Sequence, residues 1–158
     1  MEPKTSPKDI FLHLLAIITL YVSAGSFIAL LFQYINLLIP DTLDQGGHYA
    51  RASSLQTIRW AISSLVVIFP VYLVTSWYLN KGYVSLPEKR SLKIRKWLIY
   101  FTLFAAALII IGDLVALIFN LLGGEFTIRF ILKVLTIFFV AGSVFHYYLW
   151  DLRRHNIE

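Results

Sequence analysis

Polar segments divide the chain into four long apolar runs, Ile10–Ile39, Trp60–Leu79, Trp97–Leu122 and Phe126–Trp150. A hydrocarbon core of ~30 Å needs about 20 helical residues at a rise of ~1.5 Å each, so every run is long enough to cross a bilayer. Lipid offers the backbone no hydrogen bonds, and the helix satisfies its own. The pattern predicts an all-α integral membrane protein, a four-helix bundle in up-down-up-down order. It forms one domain over 1–158, with spans at about 10–39, 60–79, 97–122 and 126–150.

The intervening segments carry turn signals. Pro40 ends the first run, and Gly46-Gly47 loosens the connection that follows. Ser53 and Gln56 have capping-box spacing, which predicts the start of span 2 there. Ser85 and Glu88 repeat that spacing with Pro87 between them, so a helix leading into span 3 is expected near Leu86. Gly123-Gly124-Glu125 is so short that spans 3 and 4 must form an antiparallel hairpin. Pro70 interrupts span 2 and frees the carbonyl of Val66, with Ser63 and Ser64 near enough to serve local backbone. The first run is too long for the 7–15-residue apolar centre of a signal peptide and is expected to stay as a span.

Composition agrees with a lipid setting. Hydrophobic residues make up 58% of the chain, against ~45–50% in soluble domains, and mean hydropathy is +0.72. Without cysteine there is no disulfide or thiolate chemistry. The net charge of +5 points to anionic lipid headgroups rather than nucleic acid, because the basic residues sit in the loops of an apolar chain. With the N-terminus inside, ten basic residues fall on the inner side: Lys4, Lys8, Lys81, Lys89, Arg90, Lys93, Arg95, Lys96, Arg153 and Arg154. Four fall on the outer side: Arg51, Arg59, Arg129 and Lys133. This bias predicts both termini in the cytoplasm of a cell (plasma or inner) membrane. Trp77, Trp97 and Trp150 then mark the inner interface and Trp60 the outer one. Lys89, Arg90, Lys93, Arg95 and Lys96 form a basic segment that faces the headgroups.

Charges within the spans are costly, ~2.5–3.5 kcal/mol each on insertion scales, and so carry information. Asp113 lies about ten residues, or ~15 Å, from the Gly123 hairpin. Lys133 lies at nearly the same depth on span 4. An ion pair between them is expected, and Arg59 or Arg129 could join it. Polar and small residues recur on one face of spans 1, 3 and 4. They are Thr102, Ala106, Asp113 and Asn120 on span 3, and Lys133, Thr136, Val140 and Ser143 on span 4. On span 1 they are Thr19, Ser23, Ser26 and Gln33. These stripes are expected to face one interior. Asp113 with Lys133 reads first as a structural clamp, and second as an ion or ligand pathway with Arg59. His13 and His146, near the inner ends of spans 1 and 4, form a weak axial pair for haem. Interfacial histidines in contact with solvent are the plainer account of them. No catalytic motif, metal-ligand spacing or cofactor fingerprint is present, so no catalytic residue, no metal, no cofactor and no enzyme activity are expected.

Several stretches resemble a family of small bacterial four-span membrane proteins known as a domain of unknown function. They include Phe11-Leu12-His13-Leu14-Leu15-Ala16, Phe32-Gln33-Tyr34-Ile35-Asn36, Ile58-Arg59-Trp60 and Pro87-Glu88-Lys89-Arg90. Ile94-Arg95-Lys96-Trp97, Ile111-Gly112-Asp113-Leu114 and Tyr147-Tyr148-Leu149-Trp150-Asp151 continue the likeness. The resemblance implies the architecture and supplies no catalytic residues. The expected role is a non-enzymatic scaffold or accessory subunit that meets anionic headgroups, a membrane-protein partner or a second copy of itself. A small transporter or ion-conducting protein using Asp113, Lys133 and Arg59 is the alternative. A haem-binding redox protein comes third.

Overall fold

A computed structural model describes residues 4–39, 47–124 and 126–154. Four helices follow in order: α1 Pro7–Leu38, α2 Gly47–Ser85, α3 Lys93–Leu122 and α4 Ile128–Arg154, with a 3-10 turn at Pro87–Ser91 before α3. Each helix is long and apolar enough to cross a membrane, and they alternate in direction as the up-down-up-down order requires. Helix α2 has 39 residues, or ~58 Å, so it outruns a ~30 Å core by many turns. Pro40, Gly46 and Glu125 lie outside the described residues.

The helix starts depart from the sequence expectations. Helix α1 opens with a capping box that precedes the apolar run. The Ser6 hydroxyl accepts from the Asp9 amide at 3.2 Å, and Asp9 Oδ2 accepts from the Ser6 amide at 3.1 Å and its hydroxyl at 2.7 Å. Pro7 fills the first turn, where its missing N–H costs nothing. The Ser53–Gln56 box is not used, because α2 is already helical from Gly47 and Ser53 lies inside it. Nothing in Gly47–Ala52 breaks a helix once Gly47 has begun it. The Ser85–Glu88 box is not used either. Ser85 ends α2 and gives its hydroxyl to the Lys81 carbonyl. Leu92 caps α3 without a side-chain bond. Helix α2 runs on through Pro70, and Ser63 donates to the Arg59 carbonyl at 2.8 Å, on the side away from Val66.

Packing is uneven. Helix α1 lies along α2 and α3 along α4, and α1 also meets α4 and α3. Helix α2 has no close backbone approach to α3 or α4. Thus α1 is the hub, and α2 hangs from it. Small residues sit where backbones come close: Ser23 and Ser26 on α1, Ala61 on α2 and Ala106 on α3 are all buried. Without a hydrophobic drive between helices in lipid, such close packing is what holds spans together. A compact cluster of Ile99, Leu103 and Leu152, backed by Phe145, Tyr148 and Leu149, joins α3 to α4. Large apolar side chains elsewhere point outward, among them Val66, Phe104, Val115 and Phe139. In water they would form an untenable apolar surface, and lipid is the solvent that accepts them.

The α3–α4 hairpin needs one special backbone position. Gly124 adopts φ 74°, the left-handed region that costs other L-residues ~1–2 kcal/mol. A Cβ there would meet nothing within 4 Å, so the penalty is purely one of backbone. Gly124→Ala should therefore destabilise the bundle by ~1–2 kcal/mol in a reversible unfolding assay in detergent, while Gly112→Ala, in open space within α3, should not.

Candidate functional site at the basal end of the bundle

The start of α1, the end of α2, the start of α3 and the end of α4 gather at one end of the bundle, here called basal. Polar side chains are buried there in a continuous chain of contacts. The Asp9 carbonyl can only accept, so His13 Nδ1 donates to it at 2.6 Å. In the neutral ring Nε2 then accepts, and the Tyr83 hydroxyl donates to it at 2.6 Å. The Arg95 guanidinium lies 5.0 Å from the Tyr83 ring centroid. Arg95 donates to Asp151 Oδ2 at 2.6 Å and to the Arg90 carbonyl at 3.0 Å. Lys89 reaches Asp9 Oδ1 at 3.4 Å, and Lys8 donates to the Tyr78 hydroxyl at 2.7 Å. One network thus ties all four helices and the 3-10 turn together.

Higher up, the Tyr21 hydroxyl and Thr102 Oγ1 stand 2.7 Å apart. Thr102 spends its own proton on the Leu98 carbonyl at 2.8 Å, so Tyr21 is the donor. This bond fixes the level of α1 against α3.

Two cavities open on this network. The larger, of about 330 Å³, lies between the start of α1, the end of α2 and the 3-10 turn, and Lys8, Asp9, His13, Lys81, Tyr83 and Lys89 stand in its wall. The smaller, of about 80 Å³, is faced by Tyr72, Tyr147, Tyr148, Arg95 and Asp151. His13 and Tyr83 line both, so their hydrogen bond stands where the two meet.

The sites expected from sequence are only partly assembled. Asp113 is buried on the same face of α3 as Thr102 and Ala106, as expected. It does not pair with Lys133. Asp113 Oδ2 has no hydrogen-bond partner, and the Lys133 ammonium sits 5.5 Å from the Phe32 ring centroid on α1. The reason is rotational. The buried position of α4 at this level is Val134, and one residue turns a helix by ~100°. Arg59 is exposed on α2 and joins neither. Arg129 serves another purpose: its guanidinium donates to the Ile39 carbonyl at 2.9 and 2.5 Å and to the Asn36 carbonyl at 3.2 Å. Those carbonyls end α1, which has no basic residue in its own last turn, so α4 supplies the cap.

The stripe of α4 turns inward only in part, for Val140 is buried. Thr136 and Ser143 return their hydroxyls to the Leu132 and Phe139 carbonyls of their own helix, and Ser143 is exposed. The histidines cannot form an axial pair. His13 is buried with both ring nitrogens engaged, whereas His146 is exposed on α4. Among the described residues, no group of three or more His, Cys, Asp or Glu could hold a metal ion.

The basic segment divides by position. Arg95 is buried, Lys89 and Arg90 are half-buried, and Lys93 is exposed. Lys96 is half-buried at the start of α3. Three members of the network escaped the sequence reading. Asp9 was marked by the Ser6–Asp9 spacing, and Asp151 by its place beside Trp150. Nothing local singled out Tyr83.

Two outcomes test this geometry. Arg95→Ala removes the guanidinium from a carboxylate that is itself mostly buried, with side-chain exposures of 8% and 16% for Arg95 and Asp151. A loss of ~2–3 kcal/mol is expected in reversible unfolding, as for charge-assisted hydrogen bonds, and Arg95→Lys should recover only part of it because one ammonium cannot match the fork. For Asp113 and Lys133, the losses of Asp113→Asn and Lys133→Gln should add in the double variant within ~0.5 kcal/mol, as for groups that do not touch. Recovery in the double variant would restore the ion pair.

No curated protein and no solved structure matches the chain. The family described as "Domain of unknown function (DUF5671)" does match, over residues 9–148. That stretch takes in Asp9, His13, Tyr83 and Arg95 and stops just short of Asp151. A match over so much of four apolar helices is decisive, and this membrane protein belongs to the DUF5671 family.

Proposed function

We propose that the protein is a non-enzymatic scaffold or accessory subunit of the cell membrane whose basal end, lying in the cytoplasm with both termini, engages anionic lipid headgroups. The observation that carries this reading is the composition of the basal rim. Trp77, Trp97 and Trp150 are exposed there, and indole rings prefer the headgroup level. Lys81, Lys93, Arg153 and Arg154 are exposed beside them. Lys81 and Arg154 lie over the rings of Trp77 and Trp150, at 5.2 and 4.8 Å from the centroids. Cations held over interfacial aromatics are placed to meet lipid phosphates, at ~1 kcal/mol per charge near an anionic surface.

The network behind this rim supports the non-enzymatic reading. His13, Tyr83, Arg95 and Asp151 are bonded to one another or to backbone, and they join helix ends. The ion-conducting alternative keeps Asp113 as its support, without Lys133 or Arg59 beside it.

The test is which lipid gathers at the rim. In phosphatidylcholine proteoliposomes, phosphatidylglycerol with a headgroup-level quencher should collect beside the basal rim and quench the tryptophans more than phosphatidylcholine with the same quencher. Lys93→Gln with Lys96→Gln, Arg153→Gln and Arg154→Gln should remove most of that difference, and salt should do the same. An unchanged response to anionic lipid would transfer the basal rim to a protein partner. Reporters fused after residue 158 and within 41–51 should fall on opposite sides, with the first in the cytoplasm.

A further inference from the structure

The larger basal cavity has a chemistry of its own. Three ammonium groups, from Lys8, Lys81 and Lys89, stand in its wall with one carboxylate, Asp9. Asp9 is already spent. Its Oδ2 takes both donors of Ser6, and its Oδ1 takes Lys89. Each ammonium has three N–H donors, and the bonds to Tyr78 and Asp9 use one each on Lys8 and Lys89. Donors therefore outnumber acceptors, and three cations against one anion leave two positive charges. The buried His13 closes the floor, with both nitrogens engaged. Leu12, Trp77 and Leu79 give the wall its apolar part. At about 330 Å³ the space falls in the size range of small-ligand sites, ~300–1,000 Å³.

We infer that this cavity binds a phosphomonoester, taking the terminal phosphate among Lys8, Lys81 and Lys89. A phosphomonoester carries a charge of about −1.5 to −2 at neutral pH and three terminal oxygens. That matches the surplus of two positive charges and the three lysines. A phosphodiester offers one charge and two free oxygens, and fits less well. The inference rests on the reading of the basal end as a headgroup surface. It narrows that surface to one stoichiometric pocket, distinct from the diffuse attraction of the rim.

The source of the phosphate, a lipid or a soluble ester, is separated by the experiment. Full-length protein in detergent would be titrated with short-chain phosphatidic acid, phosphatidylglycerol and glycerol 3-phosphate, and adducts counted by native mass spectrometry. Phosphatidic acid should give one saturable adduct, about tenfold tighter than phosphatidylglycerol. Lys8→Gln, Lys81→Gln and Lys89→Gln should each weaken it about tenfold, the worth of one charge-assisted hydrogen bond. Lys81→Arg and Lys89→Arg keep the charge and should hold most of the affinity, which guards against a variant that merely misfolds. Lys93→Gln and Lys96→Gln, outside the cavity, should leave the adduct intact. Equal affinity for glycerol 3-phosphate would uphold the phosphomonoester and assign it to a soluble ligand. Equal affinity for phosphatidylglycerol, or a loss in the Lys96→Gln variant as large as in Lys81→Gln, would overturn the pocket. If enrichment of anionic lipid still depends on the rim in that case, the broader reading stands without the pocket.

Discussion

Arg95 is the node on which the basal end depends. A guanidinium at the start of a helix meets the positive end of the helix dipole, and burial adds a desolvation cost. It persists because every direction is answered. Asp151 on α4 and the Arg90 carbonyl on the 3-10 turn accept its protons, and the Tyr83 ring on α2 lies alongside. Tyr83 in turn holds His13 on α1. A single side chain thereby reaches elements far apart in sequence. In lipid this matters more than it would in water. Acyl chains are as apolar as leucine, so burial of apolar surface does little to choose one helix partner over another. Close packing of small residues and internal hydrogen bonds make that choice.

Helix α2 shows the consequence. It touches α3 and α4 nowhere by close backbone approach, and its central residues mostly face outward. What fixes it to the bundle is α1, through Ala61 and its buried neighbours along the length and through His13–Tyr83 and Lys8–Tyr78 at the base. The space left between its basal end and the other helices is the space of the two cavities. The same looseness that leaves α2 at the edge therefore makes room for a ligand at the basal end.

How much of this could be read from the chain follows from the scale of each signal. The four spans were plain because hydropathy is summed over some twenty residues, and no single substitution can hide it. Helix starts were not, since Ser53–Gln56 and Ser85–Glu88 have the right spacing but compete with helices that already cover or end at them. The Ser6–Asp9 box was used and carries Asp for the more usual Glu or Gln. Depth was also legible: Asp113 and Lys133 are near one level. Rotation was not. Counting from a hairpin fixes height to within a turn, while pairing needs a facing angle, and one residue shifts that by ~100°. Val134 took the inward place instead. Arg95 is the opposite case. The sequence groups it with a basic run that faces the headgroups, yet it is buried and lies about two turns below Thr102 and about five below Asp113 on the same stripe. Extending that stripe beyond the span would have separated it from Lys93 and Lys96.

The two ends of the bundle solve the same problem in different ways. Every helix end leaves backbone groups unsatisfied, and near lipid these need partners. At the far end α1 is closed by a side chain of another helix, for Arg129 donates to the carbonyls of Asn36 and Ile39. The partners there are backbone, and the result is a cap. At the basal end Asp9 closes α1 from within, which releases His13, Tyr83, Arg95 and Asp151 to bond across helices. That arrangement exceeds what the helix ends require. It keeps three lysines around an open space, with the one carboxylate there already bonded to Ser6 and Lys89. A structural cap has no need of such a surplus of positive charge, and an anion is the partner that would balance it.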